Sequence, residues 1–227
     1  MYLNCFILII TLAFTPLIYA DGNQEKYYFS EFSKGLLDDW EEVEFNGETH
    51  YVLESEQTLK STGTSANTTV LKANSHATAS GMFKKMKVNI KEFPVINWRW
   101  KLTKALPSLA EKTKQGDDYA ARIYVVVSDG WFFWQTKALN YVWSSREQEN
   151  ETWPNAYAPD NTLMMALRTK KDQPDVWFEE KRNIAEDLKQ WLGKSYDQIE
   201  AIAIMTDSDD SKLDASAVYG DIYFTAE

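Results

Sequence analysis

The side chains in this sequence that could do chemistry are cationic, amide, phenolic and carboxylate groups set two residues apart within apolar runs. Between Val95 and Leu102, Asn97, Arg99 and Lys101 alternate with Ile96, Trp98, Trp100 and Leu102. Arg122 and Tyr124 alternate with Ala121, Ile123 and Val125, Arg168 shares a side with Met164 and Ala166, and Asp207 shares one with Ala203 and Met205. A period of two puts such residues on one side of a β-sheet. The spacing predicts one sheet with an apolar side toward the core and a second side carrying Arg99, Lys101, Arg122, Tyr124, Arg168 and Asp207, joined by Asn140 from the run Lys137 to Trp143. If that side is concave it forms a polar cleft. If it is not, the same groups pair with one another on a solvated face, where each pair contributes little.

Aromatic residues extend this reading toward sugar recognition, which needs flat rings against the apolar side of a pyranose and polar groups for its hydroxyls. Trp131, Phe132, Phe133 and Trp134 follow the turn-like Ser128-Asp129-Gly130. Four consecutive aromatics on a strand cannot all face inward, so Trp134 is expected on a rim. The loop Trp153-Pro154-Asn155-Ala156-Tyr157 adds Trp153 and Asn155 to the same rim.

Catalytic chemistry has fewer supports. Glycoside hydrolysis needs two carboxyl groups about 5–9.5 Å apart, and Asp117, Asp118, Glu179, Glu180, Asp207 and Asp209 offer candidates. In a chain with 34 acidic residues such pairs also arise without purpose, so the enzyme question stays open and leans toward none. His50 and His76 are the only histidines and no Gly-x-Ser-x-Gly occurs, which argues against a nucleophilic triad and a histidine zinc site. The run Asp207-Ser208-Asp209-Asp210-Ser211, with Asp214 beyond it, reads either as a calcium loop or as a solvated acidic loop, and it lacks the glycine and final glutamate of an EF-hand.

The elements that must position these groups are short strands. From Tyr27 onward, runs rich in Val, Ile, Tyr, Phe and Trp recur between Gly, Asn, Asp and Ser clusters. Strands are predicted over 40–45, 50–54, 69–73, 80–88, 95–102, 121–127, 137–143, 162–168, 176–180, 201–206 and 218–224. One helix is predicted to start at Asn183, with Glu186 three residues on, Ile184, Leu188 and Trp191 or Leu192 on one face, and Gly193 ending it. Eleven short strands and one helix in the C-terminal third predict an all-β, jelly-roll-type sandwich. Leu106 to Asp118 reads as a long exposed loop.

At 227 residues and 44% apolar composition the chain can build a core without disulfides or metal. Its net charge of −10 argues against nucleic acid as a partner. The first charged side chain is Asp21, and Cys5 to Ile10 is wholly apolar, followed by Pro16 and Ala20. This pattern predicts a signal peptide over 1–20, a β-sandwich domain over 21–227, and a periplasmic or secreted location with no membrane span after cleavage. No Lys or Arg precedes the apolar run, so retention as an N-terminal anchor is the alternative. Cleavage would remove Cys5, the sole cysteine.

Several segments, in order, resemble an uncharacterised family of exported bacterial proteins known only as a domain of unknown function. They are Gly116-Asp117-Asp118-Tyr119-Ala120-Ala121-Arg122-Ile123-Tyr124-Val125, Ala138-Leu139-Asn140-Tyr141-Val142-Trp143, Trp153-Pro154-Asn155-Ala156-Tyr157, Ile204-Met205-Thr206-Asp207-Ser208-Asp209 and Tyr219-Gly220-Asp221-Ile222-Tyr223-Phe224. The resemblance implies a periplasmic or secreted domain and carries no activity. Asp209-Asp210-Ser211 departs from the family's Asp-Asn-Thr. At the level of fold, the aromatic segment Phe29 to Trp40 and the closing strand resemble galactose-binding jelly-roll carbohydrate-binding modules. That resemblance implies a structural calcium ion between the first and last strands, with Glu31 and Asp221 as its candidate ligands.

Together these readings predict an exported, noncatalytic domain that binds a glycan or small polar ligand in an aromatic-rimmed cleft. A structural or protein-interaction role in the envelope, and a glycan hydrolase using paired carboxylates, are the alternatives.

Overall fold

The computed structural model describes residues 25–59, 65–128, 130 and 136–227. The chain runs through β1 (Tyr27–Ser30), β2 (Glu41–Asn46), β3 (His50–Leu59), β4 (Ser65–His76), β5 (Ala79–Asn89), β6 (Val95–Lys104) and β7 (Arg122–Ser128). It continues through β8 (Thr136–Trp143), β9 (Thr152–Pro154), β10 (Thr162–Arg168), β11 (Phe178–Asn183), helix α1 (Ile184–Leu192), β12 (Gln198–Asp207), β13 (Asp214–Tyr219) and β14 (Ile222–Thr225). Two seven-stranded sheets result. The first has the order β1-β14-β6-β13-β4-β3 with β11 also paired to β6, and the second β2-β5-β12-β7-β8-β10-β9. Consecutive strands β4 to β7 alternate between the sheets, as do β12 and β13, which is the crossing pattern of a jelly-roll-type sandwich.

The core lies between the sheets and follows the period of two. Ile96, Trp98, Trp100 and Leu102 from β6 meet Ile123, Val125 and Val127 from β7, Leu139, Tyr141 and Trp143 from β8, and Ile202 and Ile204 from β12. Aromatic pairs tie the layers together: Trp98 lies 5.4 Å from Tyr141 and Trp100 5.9 Å from Trp143, ring centre to ring centre. The sequence expected one strand over 218–224, but the chain bends at Gly220-Asp221. There β13 and β14 pair end to end along β6, and the Gly220 N–H donates to the Arg99 carbonyl at 2.9 Å. The short strands β1 and β9, which have too few residues to show a period, complete the sheet edges.

The helix is built as its sequence dictates. Asn183 accepts a hydrogen bond from the Glu186 N–H at 3.2 Å, and Gly193 ends the run with φ 72°. Ile184 and Leu188 are buried in the core. Asp187 accepts from Tyr141 Oη at 2.6 Å and pairs with Arg182, anchoring the helix to both sheets.

The predicted single polar face divides here. β6 belongs to the first sheet, whereas β7, β8, β10 and β12 belong to the second, so Arg99 and Lys101 cannot share a surface with Arg122, Tyr124 and Asp207. Strand periodicity fixes the side of a residue but not the sheet into which its strand is recruited.

Candidate functional site

The outward side of the second sheet carries Gly81, Phe83 and Lys85 from β5, Ala203, Met205 and Asp207 from β12, Arg122, Tyr124 and Val126 from β7, and Val43 and Phe45 from β2. On β7 and β12 these residues alternate with core-facing neighbours, and the whole set lines a cleft of about 700 Å³. Loop residues Asp117, Asn155, Tyr157, Asp209 and Asp210 close its other side. Half the sheet is covered instead of open: Tyr119 and Trp153 stack at 6.4 Å and pack with Val142, Met164 and Ala166 as a second small core.

A buried ion pair lies at the floor. Arg122 is 4% exposed and Asp207 2%. Arg122 Nη2 donates to Asp207 Oδ2 at 2.6 Å and contacts the Met205 sulfur at 2.9 Å, while the Tyr119 N–H donates to Asp207 Oδ1 at 3.2 Å. The guanidinium lies 5.2 Å from the Tyr119 ring centre and 5.4 Å from that of Tyr124. Its Nε and Nη1 have no hydrogen-bond partner among the described residues. Burial works against both charges. It raises the Asp207 carboxyl well above the ordinary range against the pull of Arg122, whereas Arg122 stays above its usual value because Asp207, Tyr124 and Asp117 outweigh its desolvation.

Beside this pair, Asp117 accepts from Asn155 Nδ2 at 2.9 Å and from Tyr119 Oη at 3.3 Å, and burial lifts its carboxyl above the ordinary value. Burial also pushes Tyr124 up to about 12. The backbone that delivers Asp117, Asp118 and Tyr119 is held by a close turn in which a Cβ at Gly116 would lie 2.7 Å from the backbone of Ala110. Buried Glu111 fastens the same loop to the end of β8 by accepting from Ser144 Oγ at 2.6 Å. The long loop Leu106 to Asp118, expected to be exposed, is thus partly a packing element.

Of the expected site residues, Arg122, Tyr124, Asn155 and Asp207 come together at the cleft. Asn155 acts as a brace: its Oδ1 accepts from the N–H groups of Tyr157 and Ala158, and its Nδ2 holds Asp117. Asn140 is fully buried below, with Nδ2 3.4 Å from the Met164 sulfur. Trp153 is not on a rim: it is buried against Tyr119, to whose Oη its Nε1 donates at 3.3 Å. Arg99 lies on the first sheet with its guanidinium 4.5 Å from the Trp177 ring centre, and Lys101 beside it pairs with Glu56. Arg168 leaves the cleft because a register shift at the end of β10 sets it opposite core-facing Trp143, where it pairs with Glu180 at 2.6 Å. Trp134 lies outside the described residues.

The expected calcium ligands are both engaged by protein. Glu31 pairs with Lys34 at 2.6 Å, and the two Asp221 oxygens accept from Ser33 N–H at 2.8 Å and Ser33 Oγ at 2.5 Å. Among the described residues, Asp118, Asp209 and Asp210 are the acids that cluster closely enough to share a cation, but Asp118 already accepts from the N–H groups of Asp210 and Ser211.

The expected list left out the exposed aromatics. Phe45 is 69% exposed and Tyr157 55%, and they stand on opposite sides of the cleft. The alternation Glu41, Val43, Phe45 in β2 carried the signal for Phe45, and Tyr157 lies in the loop that drew attention to Trp153.

No curated protein matches the chain in sequence. Among solved structures it is similar to the glycoside hydrolase domain of Endo-D from Streptococcus pneumoniae R6, with TM-score 0.39 and 14% identity over 83% of this chain and 22% of that one. It is also similar to the family 11 carbohydrate-binding module of the cellulase Lic26A-Cel5E of Clostridium thermocellum, with TM-score 0.42 and 10% identity over 89% of this chain and 95% of that one. A structure of carbohydrate-binding modules of the β-sandwich superfamily gives TM-score 0.44 and 12% identity over 86% and 61% of the two chains. Scores this low bear on neither ligand nor reaction; the sandwich stands on its own strand pairing. In sequence, residues 38–223 match the family described as a protein of unknown function (DUF3047), and the chain belongs to that family.

Proposed function

We propose that this protein binds a carbohydrate noncatalytically in the cleft of the second sheet. The observation that carries the reading is the combination of an open hollow, exposed rings of Phe45 and Tyr157 on its two sides, and a floor of polar groups fixed by their neighbours. Such a floor is preorganised, so little ordering cost falls on binding.

The two carboxyl groups at the floor, Asp207 and Asp117, favour recognition over hydrolysis. Asp207 is committed to Arg122 and the Tyr119 N–H, and Asp117 to Asn155 and Tyr119 Oη. A general acid or nucleophile needs an oxygen presented to the substrate, and each of these oxygens already accepts a hydrogen bond. The acidic surface disfavours nucleic acid. The apolar N-terminal segment supports export to the periplasm or beyond, and no described helix is long and apolar enough to cross a membrane.

A glycan array followed by calorimetry on the responding oligosaccharide tests the proposal. Phe45→Ala and Tyr157→Ala should each weaken binding by about three- to tenfold, the worth of a stacked ring, with the melting midpoint unchanged. Absence of any glycan response, together with capture of an envelope protein abolished by the same two substitutions, would transfer the site to protein recognition.

A further inference from the structure

The middle of the cleft contains three residues in one cross-strand row. Phe83 of β5 pairs with Ala203 of β12, and Ala203 pairs with Tyr124 of β7, so the three side chains stand side by side on the outward face. All three are half-buried and all three line the cleft. A methyl group thus stands between two aromatic side chains, at a place where cross-strand packing favours a bulky residue and alanine is a poor strand former. In the next row Met205 fills the corresponding place between Gly81 and Arg122. One wall of the resulting notch is fixed: Tyr124 Oη lies 4.0 Å from the Met205 sulfur, and the Arg122 guanidinium 5.4 Å from the Tyr124 ring centre. The other wall, Phe83, pairs with no ring among the described residues.

The width of the notch limits what it can hold. Strands β5 and β7 are separated by two sheet spacings, about 9.5 Å. A single ring between the walls needs two carbon–carbon contacts, about 7–8 Å in all, whereas a stacked pair needs three, about 11–12 Å. One ring fits and two do not. The surplus of about 2 Å suits the puckered, C–H-covered faces of a pyranose better than a flat aromatic ring. A sugar held on both faces must carry its hydroxyls around its edge, because an axial hydroxyl would be pressed onto an apolar wall with no hydrogen-bond partner.

Resting on the carbohydrate reading above, we propose that Phe83, Ala203 and Tyr124 form a subsite for one pyranose ring whose hydroxyls are all equatorial, lodged over the Ala203 methyl between the two aromatic side chains. Ala203 determines specificity here, since any larger side chain would occupy the place of the sugar.

Calorimetry on the full chain with cellohexaose, β-1,4-mannohexaose and β-1,4-galactohexaose tests this, the last two carrying one axial hydroxyl on each ring. Cellohexaose should bind about tenfold more tightly than either. Ala203→Leu should weaken cellohexaose binding by at least about tenfold, and Phe83→Ala by about three- to tenfold, with the melting midpoint unchanged in both. On the unaltered chain, the Ala203 methyl resonance should shift as cellohexaose is added while that of Ala217, buried in the core, stays in place. Equal affinity for the three hexamers, full cellohexaose affinity in Ala203→Leu or an unmoved Ala203 methyl overturns the subsite and leaves carbohydrate binding standing. So does a loss of affinity that only follows a fall in melting midpoint. If none of the three hexamers binds, the subsite falls, and if a wider glycan array is silent as well the carbohydrate reading falls with it. Should Ala203→Leu not fold, the ranking of the hexamers and the methyl shift on the unaltered chain still decide.

Discussion

The outer faces of the two sheets use arginine in opposite ways. On the first sheet Arg99 lies over Trp177 at the surface, its stem against Gly220, where a side chain of any size would collide with it at 2.6 Å. On the second, Arg122 is enclosed between two tyrosine rings and bound to a buried carboxylate. The difference lies in what covers each strand. The segment leading into β7 brings Tyr119 over the second sheet and β9 brings Trp153, and Asp207 at the end of β12 supplies the counter-charge. A cation on an outward strand position becomes a surface group or the floor of a site according to the loops that fold across it.

Substitution of the two arginines should separate them most clearly. Arg122→Ala leaves Asp207 buried without its partner, and should cost about 3–5 kcal/mol in urea unfolding. A loss as small as that of a surface residue would show that the Arg122 pair is not the keystone of the covered half. Gly116→Ala should come next, at about 1–3 kcal/mol, because the added carbon meets the Ala110 backbone and the loop carrying Asp117 and Tyr119 must move. Ligand affinity should fall with it; a stable variant with unaltered affinity would uncouple that loop from the site.

A titration sharpens the comparison further. The Asp117 carboxyl sits above its unfolded value because it is buried, so its contribution to stability is complete below the unfolded value and is lost as pH rises through the folded one. The stability of the unaltered chain relative to Asp117→Asn should therefore decline as pH rises above the unfolded carboxyl value, and a difference that stays flat from acid to neutral pH would contradict the burial. Arg99→Ala should have the smallest effect, about 0.5–1 kcal/mol for the loss of a cation over a half-buried surface ring. A larger cost would mean that the Arg99–Trp177 contact is structural in the way the Arg122 pair is.

Much of the fold was legible because its signals are local. Alternation in 95–102 and 121–127 reproduced the core faces of β6 and β7, and Asn183, Glu186 and Gly193 marked both ends of α1. The same alternation placed Arg122, Tyr124 and Asp207 on one outward side of neighbouring strands, as found. What failed was nonlocal. Arg168 was misplaced by a register shift that the periodicity of β10 does not contain, and Trp153 by a stacking partner far away in sequence.

The order of residues therefore determined the strand periods, the capped helix and the presence of polar chemistry on outward positions, since each of these depends on backbone geometry within a few residues. Only the tertiary structure decided which strands became neighbours, which outward half was covered, and that Phe45 and Tyr157 line one acidic hollow. Those outcomes depend on contacts between segments separated by tens to more than a hundred residues, and no local period records them.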